Sequence, residues 1–154
     1  MANIKDNYNV LKKKYSLPEF EMLNQEFDIE EISAESTLVL QKIRLRIYEK
    51  MDYYAKLFES ILQPESSLAD LYEAHYIEED IKNSAYSLFK SLVHILRSSN
   101  LVAISNKEED NAKFIKDSLQ EWNSIKPEVQ SHIKRLIGLW EKETDIREDL
   151  SYFG

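Results

Sequence analysis

The chain has no cysteine, and this absence excludes several kinds of chemistry at once. Thiol redox reactions, cysteine-ligated zinc, disulfide scaffolds and cysteine nucleophiles all need a thiol that no residue here supplies. With 154 residues, the chain is long enough to form one hydrophobic core without covalent or metal staples. A reducing compartment suits this composition, so we expect a cytoplasmic protein.

Glycine and proline are also scarce, with two and three residues respectively. Turns, β-sandwiches and β-barrels use both residue types heavily, so their scarcity disfavours a β-rich fold. No apolar run approaches the roughly 18 residues of a membrane span, and the N-terminal stretch lacks the apolar core of a secretion signal. We therefore expect an all-α protein that does not enter a membrane.

Basic residues are outnumbered by acidic ones, with 20 Lys and Arg against 28 Asp and Glu and a formal net charge of −8. This balance repels nucleic acids and acidic membrane surfaces, so we expect neither as the partner. The acidic residues are unevenly distributed. Seven of them, and no Lys or Arg, lie within residues 19–35, which we call the acidic segment.

Helical periodicity is the strongest positive signal, and it is clearest in residues 34–63. Apolar residues recur there at steps of three and four, which places them on one side of an α-helix. The stripe consists of Leu40, Ile43, Ile47, Met51, Tyr54, Phe58 and Ile61. Pro64 disfavours helical geometry in the residue before it, so the predicted central helix ends at Gln63.

Similar stripes predict the rest of a four-helix core. The further helices are predicted over residues 77–99, 106–124 and 127–143. Pro127 suits the first turn of a helix, so the last helix would run antiparallel to its predecessor. We predict one all-α domain, a helical bundle of about six to seven helices with the N-terminal helices packed across the core. Its parts are the N-terminal helices with the acidic segment, the core bundle and a tail, over residues 1–33, 34–143 and 144–154.

No catalytic, cofactor or metal site is recognisable in the sequence. A di-metal carboxylate bundle needs Glu-x-x-His pairs, and no glutamate precedes His75, His94 or His132 at that spacing. A Gly-rich phosphate loop is also absent, since the only glycines are Gly138 and Gly154. We therefore expect a protein that is not an enzyme and that binds no cofactor or metal ion.

The candidate functional residues are those of an interaction surface. Lys42, Arg46 and Lys50 follow the acidic segment and form a basic strip on the central helix. Gly138 interrupts the last helix away from its apolar stripe, where glycine costs up to about 1 kcal/mol relative to alanine. A closely approaching partner backbone would explain this glycine, and so would neutral drift.

The predicted function is a non-enzymatic protein–protein interaction or structural module. Its partner would be another protein of unknown identity, and association between copies of the chain stays open. The alternative is a helical accessory domain that contacts nucleic acid through the basic strip. A basic face clear of the acidic segment would favour that alternative.

Arg44 is predicted to be partly desolvated, because it lies at the edge of the central stripe. A desolvated guanidinium needs an acceptor, and the carboxylates of Glu30, Glu31 and Glu35 are the predicted candidates. Such an ion pair would fix the N-terminal helices on the core.

A resemblance to a group of small all-helical archaeal proteins rests on two stretches, LPEFEMLNQEFDIE and KLFESILQPESSLADLYEAHY. It covers most of residues 10–125. The resemblance implies an all-helical fold and a cytoplasmic setting. It includes no catalytic motif, so it implies no activity.

Overall fold

The computed structural model of the chain describes residues 3–33, 38–65 and 67–142, which form six α-helices and one 3₁₀-helix. The elements are α1 (Ile4–Tyr15), α2 (Phe20–Phe27), η1 (Ile29–Glu31), α3 (Val39–Leu62), α4 (Leu68–Tyr76), α5 (Glu79–Ser105) and α6 (Glu108–Trp140). These ranges contain no strand, and the predicted all-α helical bundle is confirmed. The predicted start of the central helix at residues 34–37 and the predicted tail at 144–154 lie outside the described residues.

Three long helices, α3, α5 and α6, form the core, and each of them packs against the other two. Their apolar residues repeat at helical spacing, so each helix buries one continuous stripe. Burying one large apolar side chain contributes about 1.5–3 kcal/mol, which makes this shared layer the main source of stability. Its largest fully buried side chains are Ile43, Ile47, Met51, Phe58, Leu88, Leu92, Ile95 and Ile115.

The predicted helix boundary at Pro127 is wrong, because α6 continues through this residue without interruption. Proline inside a helix costs roughly 3 kcal/mol, since it removes one backbone hydrogen bond and crowds the preceding turn. The buried face of α6 continues across the proline, and both Trp122 and Val129 are 2% exposed. Packing on both sides of the proline holds the helix together. The predicted four-helix core therefore consists of three long helices.

A two-residue turn joins α5 to α6 and makes them antiparallel. Asn106 has a φ of 51°, in the left-handed region that asparagine tolerates better than most residues. Its backbone N–H donates to the carbonyl of Val102 at 2.8 Å and closes the last turn of α5. Helix α5 thus extends to Ser105, beyond the end predicted at residue 99.

The short helices cover the side of the bundle where α3 and α6 meet. Helix α1 packs against α3 and α6, α2 packs against α3, and α4 packs against α3 and α6. Tyr8 of α1 is fully buried, and its hydroxyl donates to the carbonyl of Pro18. In α4, the Tyr72 hydroxyl donates to the carbonyl of Leu139 at 2.7 Å. The N-terminal helices lie across the core as predicted.

Candidate functional site

The predicted basic strip does not form one free surface. Arg46 Nη2 lies 3.4 Å from a carboxylate oxygen of Glu31, and the Lys50 ammonium donates to the backbone carbonyl of Glu26. Lys42 is exposed, and its ammonium has no hydrogen-bond or ion-pair partner among the described residues. Only one of the three cations is therefore available to an external ligand.

Glu26 is the centre of a polar cluster that joins α2 to α3 and α6. Its carboxylate accepts hydrogen bonds from Trp122 Nε1 at 2.8 Å and Lys126 Nζ at 2.6 Å. Lys50 Nζ lies 3.8 Å from the same carboxylate and 5.2 Å from the centre of the Trp122 ring. We call these four residues the Glu26 cluster. It ties the acidic segment to the core.

The protonation of the Glu26 cluster reflects its geometry. Burial alone would raise the pKa of Glu26, but hydrogen bonds from Lys126 and Trp122 and the charges of both lysines hold that pKa below its ordinary value. Burial lowers the pKa of Lys50, while the carboxylate beside it acts in the opposite direction. The cluster is thus an ionised, internally satisfied contact between helices.

Arg44 is more deeply buried than the partial desolvation predicted for it, and its partners are neutral. The side chain is 4% exposed, and burial lowers the pKa of its guanidinium. Its Nε donates to Asn111 Oδ1 at 2.8 Å, and Nη1 donates to Ser99 Oγ at 2.8 Å and to the Ser99 carbonyl at 3.3 Å. These bonds join α3 to α5 and α6 in one buried polar layer.

The predicted ion pairs of Arg44 with Glu30 and Glu31 are wrong, and Glu35 lies outside the described residues. Residues two apart on an α-helix point about 200° apart around its axis. Arg44 consequently points between α5 and α6, while Arg46 faces the acidic segment and is the arginine that Glu31 contacts.

Gly138 has open space around it. A methyl group added there would meet no atom within 4 Å outside the local helix backbone. The glycine lines a cleft of about 310 Å³ between α6 and the junction of α4 and α5. No close approach within the described chain requires a glycine at this position.

We expect Gly138→Ala to raise the free energy of unfolding by about 0.5–1 kcal/mol, because alanine fits the space and restricts the unfolded chain. Urea unfolding followed by circular dichroism measures the change. A destabilised variant would mean that the glycine has a structural role in the chain itself.

His132 and two neighbours resemble a catalytic triad in composition but not in arrangement. Its Nε2 lies 3.1 Å from Ser84 Oγ, and that hydroxyl contacts Glu128 Oε1 at 2.5 Å. In a triad the carboxylate contacts the other imidazole nitrogen and orients the ring. Here the carboxylate contacts the serine instead, and Ser84 lies inside α5, where backbone N–H groups are used by the helix. These three side chains therefore form a structural contact between α5 and α6.

Stability should decrease as the pH falls below about 6.5, the ordinary pKa of histidine. Burial lowers the pKa of His132, with Glu128 opposing the shift and Arg135 adding to it. The unfolded chain therefore binds a proton more readily than the folded one between these two pKa values. Urea unfolding should give a lower free energy of unfolding at about pH 5.5 than at about pH 7.5, and His132→Gln should reduce this difference. An equal pH dependence in the original chain and in His132→Gln would show that His132 is not its source.

An open groove of about 460 Å³ runs between the C-terminal half of α5 and the N-terminal half of α6, and residues of these two helices alone line it. Its floor is apolar, with Ile95 and Phe114 buried. At one end Leu101 is 70% exposed and Ile104 is 84% exposed. We call this feature the α5–α6 groove. Its remaining lining residues are His94, Ser98, Val102, Ser105, Asp110, Lys113, Asp117, Ser118 and Glu121.

The polar edge of the α5–α6 groove is acidic. Asp110, Asp117 and Glu121 lie along α6, with Lys113 as the one lysine among them. Glu121 Oε2 is 3.3 Å from His94 Nδ1 across the groove. Apolar periodicity does not reveal this site, because the predicted helix ends at residue 99 and leaves Leu101 to Ile104 outside it. The signal was present in these exposed apolar residues, but their exposure depends on α5 continuing to Ser105.

Comparisons with known proteins add no further identification. The chain matches no protein family, and searches of characterised proteins and of solved structures found no similar protein. No helix in the described part of the chain is both long and apolar enough to cross a membrane. Within the same residues, no three His, Asp or Glu side chains converge as metal ligands would. The resemblance to small archaeal proteins and the expected lack of an enzymatic or cofactor role stay predictions.

Proposed function

We propose that the chain is a non-enzymatic, cytoplasmic interaction module that binds another protein in the α5–α6 groove. The observation that supports this proposal most strongly is the position of Leu101 and Ile104, two exposed apolar residues beside an apolar floor. Single exposed apolar residues are common on protein surfaces, whereas a continuous apolar area is typical of binding sites. Leu101 and Ile104 are both exposed and both line the groove, so they belong to one apolar area.

The packing of the short helices adds support. A bundle of three long helices has grooves between its helix pairs, and α1, α2 and α4 pack where α3 meets α6. The α5–α6 groove is lined by its own two helices, with Phe114 at its floor and no third element of the described chain against it. A helix or peptide from another protein would bury this floor as the short helices bury the other side.

Nucleic-acid binding through the basic strip has less support. Arg46 and Lys50 have carboxylate partners inside the chain, and Lys42 alone would face a phosphate backbone. One cation is a weak counterweight to a net charge of −8. Fluorescence anisotropy with labelled single- and double-stranded oligonucleotides at physiological salt tests this alternative, and tight binding that persists at high salt would favour it.

Site-specific photo-crosslinking tests the proposed groove. Benzoylphenylalanine would replace Leu101 in the groove or, as a control, Lys134, an exposed residue of α6 outside it. The protein crosslinked in native extract would be identified, purified and titrated against the unmodified chain. We expect one partner to be captured from position 101 and not from position 134.

Point variants then locate the binding surface. Ile104→Asp should weaken binding of the purified partner at least about tenfold, because it places a charge in the apolar contact. Val10→Asp is the matched control, since Val10 is 70% exposed on α1, outside the groove. Equal losses in both variants, or a partner that crosslinks equally from both positions, would overturn the proposed site.

A further inference from the structure

We infer that the occupant of the α5–α6 groove is a basic amphipathic α-helix of a partner protein. This inference rests on the proposed function and adds the chemistry of the partner. It is supported by the spacing and remaining capacity of the groove's acidic edge, by the nature of its walls and by the net charge of the chain. The acidic edge and the net charge favour a basic occupant, and the walls favour a helical one.

The acidic edge has helical spacing. Asp110, Asp117 and Glu121 are seven and four residues apart on one helix, so they extend over about 16 Å along the groove at 1.5 Å per residue. A partner helix lying alongside has the same rise. Its lysines or arginines at positions i, i+4 and i+11 would face these carboxylates in an antiparallel arrangement.

The carboxylates retain capacity for such partners. Asp110 Oδ2 accepts a hydrogen bond from Ser105 at 2.9 Å, and Glu121 lies beside His94. A carboxylate has about four lone-pair sites, so one internal contact leaves room for an ammonium or guanidinium. Asp117 has no internal partner among the described residues, which makes it the most available of the three.

The walls of the groove favour a helix over an extended peptide. Both walls are α-helices, whose backbone groups already bond within the helix, so no strand edge is offered for pairing. An extended peptide would place unpaired N–H and C=O groups against the apolar floor formed by Ile95, Val102 and Phe114. A helix satisfies its own backbone and needs only an apolar face.

The charge of the chain favours a basic partner over a second copy. Each copy carries a formal net charge of −8, so two copies repel one another. The lysine-rich end of the chain's own basic helix, α1, is also engaged. Lys12 pairs with Glu19 at 2.5 Å, and Lys14 lies 3.4 Å from Glu108. A separate basic helix is therefore the better electrostatic match.

Two synthetic helical peptides test the inference. Both would share one apolar face, and one would carry Lys and the other Glu at positions i, i+4 and i+11. Isothermal titration calorimetry with the full chain should show that the Lys peptide binds at least about tenfold more tightly than the Glu peptide, a difference of about 1.4 kcal/mol in binding free energy. The preference should shrink as salt rises, because the contacts are solvent-exposed.

Variants of the chain make the result specific to the groove. Asp117→Lys should reduce or reverse the preference for the Lys peptide, and Ile104→Asp should weaken binding of both peptides. Glu49→Lys is the matched charge reversal outside the groove, on an exposed position of α3, and it should retain most of the preference. Equal binding of the two peptides, or no binding of the Lys peptide at about 1 mM, would overturn the inference.

Other outcomes separate this inference from the proposed function. If position 101 crosslinks a partner whose binding segment is acidic or not helical, the groove is a docking site but its occupant is not the one inferred here. If sedimentation equilibrium shows a dimer that Ile104→Asp dissociates, the occupant is a second copy, and the inference of a basic helix is wrong.

Discussion

Glu26→Ala should loosen α1 and α2 selectively and lower the free energy of unfolding by about 2–3 kcal/mol. The substitution leaves Lys126 and the indole N–H of Trp122 without their shared acceptor. It also removes the negative charge 3.8 Å from Lys50, whose hydrogen bond to the Glu26 backbone carbonyl remains. Removing one partner of a fully buried ion pair costs about 3–5 kcal/mol. The Glu26 side chain is 13% exposed and its two lysines are 29% and 35% exposed, so water compensates part of that cost.

Hydrogen exchange measures where the loosening occurs. We expect faster exchange within residues 3–33 than in α5, and a changed emission of Trp122, whose indole loses its hydrogen bond. Glu21→Ala is the control, because Glu21 belongs to the same segment and pairs with Lys5 at 3.0 Å on the surface. Exposed pairs contribute about 0–1 kcal/mol, so the control should change little. Equal effects of both substitutions would contradict the role of the Glu26 cluster.

Lowering the pH should reduce the free energy of unfolding, as Glu26→Ala does. Because the pKa of Glu26 is lower in the folded chain than its ordinary value of 4.5, its ionised form stabilises the fold. That contribution is complete above the ordinary pKa and is lost as the pH falls through the lowered pKa. The loss in Glu26→Ala should therefore diminish in strong acid.

Helical periodicity was sufficient to predict the fold class, because helices depend on local spacing and their apolar stripes must be buried together. The stripe of α3 was predicted almost in full, and its members Ile43, Ile47 and Phe58 are completely buried. Pro127 shows where local reasoning fails. A rule about one residue predicted a boundary, but the packing of Trp122 and Val129 on either side keeps the helix continuous.

The sequence indicates that the acidic segment contacts the core, but it does not indicate which residues make the contact. Acidic residues followed closely by basic ones indicated a contact, and Glu31 does reach Arg46 on α3. The stronger attachment uses Lys126 and Trp122, which lie 100 and 96 residues from Glu26 along the chain. No local pattern links residues so far apart, because their proximity depends on how α6 is placed.

The α5–α6 groove could not be predicted for a related reason. Three long amphipathic helices predict a bundle, but the sequence does not reveal which helix pair the short helices will cover. The pairing is decided by contacts such as Tyr72 with the Leu139 carbonyl, which fixes α4 on α6, and Lys116 with the Tyr15 carbonyl, which fixes the end of α1 on α6. Leu101 and Ile104 become a surface feature only once that arrangement is known.

Arg44→Met should lower the free energy of unfolding by about 2 kcal/mol and loosen the end of the bundle where α5 turns into α6. The substitution leaves Asn111 Oδ1 without its donor in a buried layer, and an unsatisfied buried acceptor costs about 1–3 kcal/mol. Ser99 is affected less, because a serine hydroxyl can rotate towards the preceding turn of its own helix. The N-terminal helices should not be loosened selectively, since Arg44 contacts α5 and α6 instead.

Replacing all three residues of the polar layer tests whether the Arg44 hydrogen bonds stabilise the fold or mainly fix the register of the helices. The triple variant Arg44→Met, Ser99→Ala, Asn111→Leu removes the guanidinium together with its two side-chain acceptors, so it should recover part of the lost stability. The recovery is not complete, because Asn111 Nδ2 also donates to Asn106 Oδ1 and to the Lys107 carbonyl. Lys56→Met is the control on the exposed face of α3 and should change the free energy of unfolding by less than about 0.5 kcal/mol.

The triple variant should also reveal what the buried cation contributes besides stability. An apolar layer tolerates several helix alignments, whereas the Arg44 guanidinium can reach Asn111 and Ser99 together in only one. We therefore expect broadened amide resonances in α5 and α6 of the triple variant despite its partly recovered stability. Sharp, well-dispersed spectra would show that apolar packing alone sets the register.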